Sequence, residues 1–144
     1  MTSIERLKRR LSRQDGVAAV EFAIVAMVFL LFIYGIITYG FIFGLDQSIN
    51  HAAEEGARSA ISTTTEAAAI TQAQDTALDR LSWLGSNIQP GDVVATVADC
   101  TNDASVRCIT VTITYPWETR PVVPRLATLP QPAQLVATAV IGLT

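Results

Sequence analysis

Residues 16–45 read GVAAVEFAIVAMVFLLFIYGIITYGFIFGL, and this stretch decides the architecture. From Phe22 to Leu45 no residue carries a charge. Twenty-four helical residues at about 1.5 Å each span about 36 Å, enough to cross a hydrocarbon core of about 30 Å. The run is apolar all round, so it lacks the single stripe of a helix lying on a soluble core. One carboxylate, Glu21, interrupts it near its start. Ahead of it, residues 1–15 carry Arg6, Lys8, Arg9, Arg10 and Arg13 against Glu5 and Asp15.

The charge is unevenly divided. The 144 residues have a formal net charge of −3, yet residues 17–144 hold five cations and eleven anions. An acidic body gives no electrostatic support for nucleic-acid binding. The basic leader follows the positive-inside rule and implies a cytoplasmic N-terminus and an exported C-terminus. An ordinary secretory signal has an apolar region of about 7–15 residues followed by a small-residue cleavage site. Here the apolar run is longer, and Asn50 and His51 intrude where such a site would fall.

The exported part reads in three pieces. Leu45, Ile49, Ala52, Ala53, Gly56, Ala60 and Ile61 recur at helical steps, so the membrane helix is expected to continue outside to about Ile61. That gives about 45 helical residues, or about 65 Å. Glu54 stands four before Arg58, in the favourable orientation for an ion pair. Thr63 and Glu66 have capping-box spacing for a second helix, with Ile70, Ala73, Ala77, Leu81 and Leu84 on its apolar face and Gly85 as its stop. Asn87, Pro90 and Gly91 mark a turn. Residues 93–97, 108–115 and 135–141 read as strands, the second alternating Ile109, Val111, Ile113 and Tyr115 with threonines. Five of the six prolines fall in 116–132, which predicts an irregular surface connection. The expected fold is α+β: a long N-terminal transmembrane helix continuing outside the membrane, a second helix, and a small antiparallel sheet of about three strands. The corresponding segments are a leader at 1–16, a span at 17–45, a helical extension at 46–62 and an exported domain at 63–144.

Cys100 and Cys108 bracket TNDASVR, which reads as a hairpin loop. An oxidising exported compartment permits a disulfide between them; the alternative is a pair of free, partly buried thiols. Two cysteines and the distant His51 do not make a zinc ligand set. His51 itself reads as a solvated or packed side chain. No nucleophile–base arrangement and no phosphate-binding loop is visible, so the chain reads as no enzyme, with no cofactor and no metal. Gly40 and Gly44 have the spacing that lets membrane helices approach closely, although glycine is common in such helices anyway.

Glu21 carries the sharper reading. A carboxylate at mid-depth in a membrane helix costs on the order of 2.5–3.5 kcal/mol, and less near the headgroups, to which it can snorkel. Alternatively, a cut after Gly16 would give Val17 a new α-ammonium and make Glu21 the fifth residue. A neighbouring subunit's ammonium could then pair with Glu21 in an apolar bundle, offsetting both desolvation costs and setting the axial stagger.

The basic leader, Gly16, four small or apolar residues, Glu21-Phe22 and a long apolar helix resemble a type IV prepilin signal. Within that group the chain resembles the TadE-like minor pilins (pseudopilins) of tight-adherence, or Flp, pilus systems. Residues 16–25, Tyr34-Gly35-Ile36-Ile37 and the segment Ala52-Ala53-Glu54-Glu55-Gly56-Ala57-Arg58 carry the resemblance. Met27 stands where the family often has a proline, and Thr38 where it often has an acid. The resemblance implies cleavage between Gly16 and Val17 by a prepilin peptidase and a mature subunit in the bacterial inner membrane. Its C-terminal domain would be periplasmic, and the subunit could enter a pilus. Other pilins or pseudopilins, the pilus assembly membrane platform and membrane lipid would be its partners. The competing reading is an unprocessed single-span envelope protein whose small exported domain binds a partner.

Overall fold

The computed structural model describes the backbone of residues 3–126 and 129–143 and the side chains of 16–126 and 129–143. The leader's cations therefore lie outside the described side chains. Two compact units form, Met1–Tyr39 and Gly40–Thr144.

Helix α1, Ser3–Ser59, crosses the boundary between the units without a break. In the first unit its apolar side chains project outward: Val17, Phe22, Met27, Phe32 and Ile36 are each exposed. The helix is long and apolar enough to cross a membrane, and none of its most apolar window is buried. A core helix of a soluble domain would bury such a window.

The second unit is an α+β fold. The last five turns of α1 bury Ile42, Leu45, Ile49, Ala52, Ala53 and Ala57. A 3-10 turn, Ala60–Ser62, ends the run, and Thr63 folds back with its N–H and hydroxyl both donating to the Ala60 carbonyl. Helix α2, Glu66–Arg80, then starts at Thr65 rather than Thr63. Thr65 is extended and its Oγ1 accepts from the Ala68 N–H at 3.2 Å, which satisfies one of the helix's free donors. The Thr63–Glu66 capping box does not form, because Thr65 takes the N-cap position and Glu66 becomes the first residue of the helix. The buried stripe of α2 is Ala69, Ala73 and Ala77, with Leu81 and Leu84 beyond it, while Ile70 is only half-buried.

Gly85 is not the stop of α2, which ends five residues earlier. It breaks the following 3-10 segment, Ser82–Asn87, with φ 57° and ψ −126°, a conformation open to glycine and costly for other residues. Strands β1 (Val93–Cys100), β2 (Asp103–Tyr115) and β3 (Leu135–Leu143) form an antiparallel meander in the order β1-β2-β3. Register places Val93, Ile113 and Ala137 in one row and Ala95, Val111 and Ala139 in the next, all on the buried face. The opposite face carries Val94, Thr112 and Thr138, then Thr96, Thr110 and Val140. This alternation is that of a sheet covered on one side.

The proline-rich connection between β2 and β3 is irregular but anchored. Trp117 is fully buried and its Nε1 donates to Gln131 Oε1 at 2.9 Å. The Glu118 N–H donates to the Ala133 carbonyl at 2.8 Å, and the Tyr115 hydroxyl to the Arg120 carbonyl at 2.6 Å. Burial raises the Tyr115 hydroxyl above its ordinary pKa.

Candidate processing and contact site

Gly16, Val17 and Glu21 lie on the exposed surface of α1. A Cβ added at Gly16 would meet nothing within 4 Å. The α1 helix runs through the Gly16–Val17 bond, where glycine makes the helix easier to unwind, being worse than alanine in a helix by about 1 kcal/mol. Among the described residues Glu21 has no ion-pair partner.

Gly40 and Gly44 are exposed, and added Cβ atoms there would also meet nothing within 4 Å. Gly56 is the opposite case. A Cβ there would lie 2.7 Å from the Ala73 carbonyl oxygen and 3.1 Å from Ala77 Cβ. The segment Ala52, Ala53, Gly56 and Ala57 is therefore the seam along which α1 meets α2, small on both sides so that the two backbones can approach. Ser59 Oγ adds a bond to the Gln72 carbonyl at 3.3 Å. Arg58, the last residue of that segment, points away and is exposed. It does not pair with Glu54 among the described residues; Glu55 instead faces Arg80 across the seam at 3.7 Å.

The Sγ atoms of Cys100 and Cys108 are joined, with Cα atoms 5.0 Å apart. The bracketed residues form the expected hairpin tip only in part, since strand pairing reaches Asp103 and Arg107. The strands continue to a two-residue turn at Thr101–Asn102, with a register shift at Asp99/Cys100. Within the segment only Asp103 and Arg107 pair with β1, and Ala104, Ser105 and Val106 bulge out between them. Next to the disulfide, Arg107 is paired across the ladder with Asp99 at 2.6 Å and held by both Glu66 oxygens at 2.8 and 3.2 Å. The Glu66 bond holds the Arg107 guanidinium above its ordinary pKa, and Arg107 holds the Glu66 carboxyl below the usual carboxylate range. Arg107 thereby ties the start of α2 to the hairpin.

A second clasp was not legible from spacing. Arg120 reaches back 28 positions to Asp92 at 2.5 Å and donates to the Asn87 carbonyl at 2.8 Å. The bond to Asp92 raises the Arg120 pKa. Only contact order across the fold brings these residues together, and no local pattern announces it.

Among the described residues no group of three or more His, Cys, Asp or Glu side chains could hold a metal ion. His51 sits on the exposed side of α1, in a cleft with Ser48, Ala52, Glu55 and Arg80. No curated protein and no solved structure matches the chain. The family model described as TadE-like protein matches residues 16–58, so the chain is similar to that family over the apolar helix and the small-residue seam beyond it.

Proposed function

We propose that this chain is a membrane-anchored component of a tight-adherence pilus system, made as a precursor and cut after Gly16 by a prepilin peptidase. One observation carries the reading: the TadE-like match begins at Gly16 and covers an α-helix whose large apolar side chains are exposed from Val17 to Ile37, a run interrupted by Glu21. Such a helix needs lipid or other helices around it. A lone acid five positions past a glycine is what a staggered ammonium–carboxylate contact between subunits would require. The mature subunit is a minor pilin, held in the inner membrane with its N-terminus cytoplasmic and its α+β unit periplasmic. Other pilins or pseudopilins and the assembly platform contact it there. It acts as substrate and structural part, and carries out no chemistry itself.

Mass spectrometry of the N-terminus of protein purified from pilus-forming cells tests this. The expected chain begins at Val17 in wild type and at Met1 in Gly16→Val, whose branched side chain obstructs the cut. Protein that keeps its leader in cells with working pili would instead support an unprocessed envelope anchor.

A further inference from the structure

The end of the β1–β2 hairpin is held from both faces of the sheet. Asp99 and Arg107 lie one row past Val97 and Ile109, on the buried face. There Arg107 donates to Asp99 at 2.6 Å and to both Glu66 oxygens at 2.8 and 3.2 Å, and Glu66 is the first residue of α2. Cys108 lies on the other face with Thr110, and its bridge draws Cys100 to the same side. That face carries the exposed Val94, Thr96, Thr138 and Val140, and neither cysteine is fully buried. A reagent in solution can therefore reach the bridge without disturbing the packed side of the sheet.

The backbone between the two locks has little of its own to hold it. Past Asp99 and Arg107 the pairing is Cys100 with Asp103, and Ala104, Ser105 and Val106 have no partner on β1. Opening the bridge makes Asp99–Arg107 the free end of the ladder, where fraying is easiest. The Arg107, Glu66 and Asp99 side chains are 43, 55 and 61% exposed, so water and salt weaken their bonds once the backbone frame loosens.

We infer that the Cys100–Cys108 bridge is a site of thiol–disulfide exchange with a dithiol, and that its state sets whether Arg107 holds the start of α2. A thiolate of the dithiol attacks one sulfur of the bridge, so the Cys100–Cys108 bond breaks and a mixed disulfide forms. The second thiol of the dithiol resolves it. Two electrons pass from the dithiol to the bridge, two protons end on Cys100 and Cys108, and the dithiol leaves as a disulfide. In the reduced chain the tip opens and Arg107 leaves Glu66, while Thr65 still caps α2. The packed rows at Val93, Ile113 and Ala137 lie at the far end of the ladder and stay formed. All of these residues belong to the Gly40–Thr144 unit, so the inference is independent of the cut after Gly16.

The test uses the full chain in detergent, carbon-13-labelled at its glutamate carboxyls, with and without millimolar dithiothreitol. Glu66→Gln assigns the Glu66 signal. The expected result is reduction in native buffer, seen as two thiols that react with a maleimide. In the oxidised chain Glu66 titrates below the usual carboxylate range, because Arg107 holds it there. In the reduced chain it returns to that range, and hydrogen exchange at Ala69 and Ile70 speeds up about threefold, the loss expected for an exposed clasp. Cys100→Ser with Cys108→Ser gives both changes without reductant, and Arg107→Gln gives them with the bridge intact. A bridge that resists dithiothreitol until the unit unfolds overturns the exchange site. Identical Glu66 titration in the two states overturns the coupling. Loss of protection throughout β2 and β3 on reduction also overturns it, because the bridge then holds the whole sheet.

Discussion

Three glycines on α1 look alike in the sequence and differ in what they touch. Gly40 and Gly44 have the i, i+4 spacing associated with close helix contact, yet among the described residues an added Cβ there meets nothing within 4 Å. Gly56 has no glycine partner, yet it faces a backbone carbonyl at a distance no Cβ tolerates. The obstacle is the α2 backbone, which cannot move aside like the tip of a flexible side chain. Gly56→Ala is therefore expected to lower stability by about 1–3 kcal/mol through overpacking, despite alanine's better helix propensity. Gly40→Ala and Gly44→Ala are expected to leave the unfolding midpoint within about 0.5 kcal/mol, as surface changes away from packed features do. Thermal unfolding of the three variants in one detergent checks the contrast; equal losses at all three would show that the seam is not closely packed. Spacing made Gly40 and Gly44 legible as candidates. It could not show that the partner of Gly56 is an alanine carbonyl on the next helix, since that depends on how α2 returns.

At the scale of elements, periodicity carried furthest where burial is one-sided. The alternation in 109–115 marks β2 because one face is covered by α2 and the other is open. Polar stretches were harder to read. TNDASVR resembles a loop in composition, and only its ends, Asp103 and Arg107, pair with β1, where the Arg107 clasp to Asp99 and Glu66 holds the irregular tip in place. Trp117 and Arg120 were likewise hidden in a proline-rich connection that reads as surface. The disulfide closes the tip of the β1–β2 hairpin, a short loop. Cys100→Ser with Cys108→Ser is expected to cost about 2 kcal/mol, the chain-entropy value for so small a loop less what the ladder already restrains. Hydrogen exchange should speed up from Ala98 to Arg107, while the β2–β3 ladder from Ile109 to Tyr115 keeps its protection. Uniform loss of protection across the sheet would show that the bridge holds the whole unit and not its tip.

At the scale of the molecule, the division of labour follows from where charge is absent. The Gly40–Thr144 unit satisfies itself: its apolar face is covered, and Arg107 and Arg120 find acids within it. The apolar surface of α1 from Val17 to Ile37 is left exposed, and Glu21 is left without a cation among the described residues. Both features call for other molecules, and they make different demands. Lipid satisfies the apolar surface but not the carboxylate, which inside a bundle needs a positive partner or a route to water. In the reading proposed above, the Val17 ammonium of a neighbouring subunit is that partner, so Glu21 acts after the cut and not during it. Glu21→Ala is expected to give a chain that is processed at Gly16, inserted and folded, yet poor at assembly. Removing one member of a buried pair leaves the other charge uncompensated at about 3–5 kcal/mol, enough to weaken association at least about a hundredfold. Mass spectrometry of the mature N-terminus reads the first half of this expectation, and counting pili by electron microscopy reads the second. Normal piliation by a processed Glu21→Ala chain would mean that the acid merely snorkels to the cytoplasmic headgroups, and that something other than this charge pair sets the stagger between subunits.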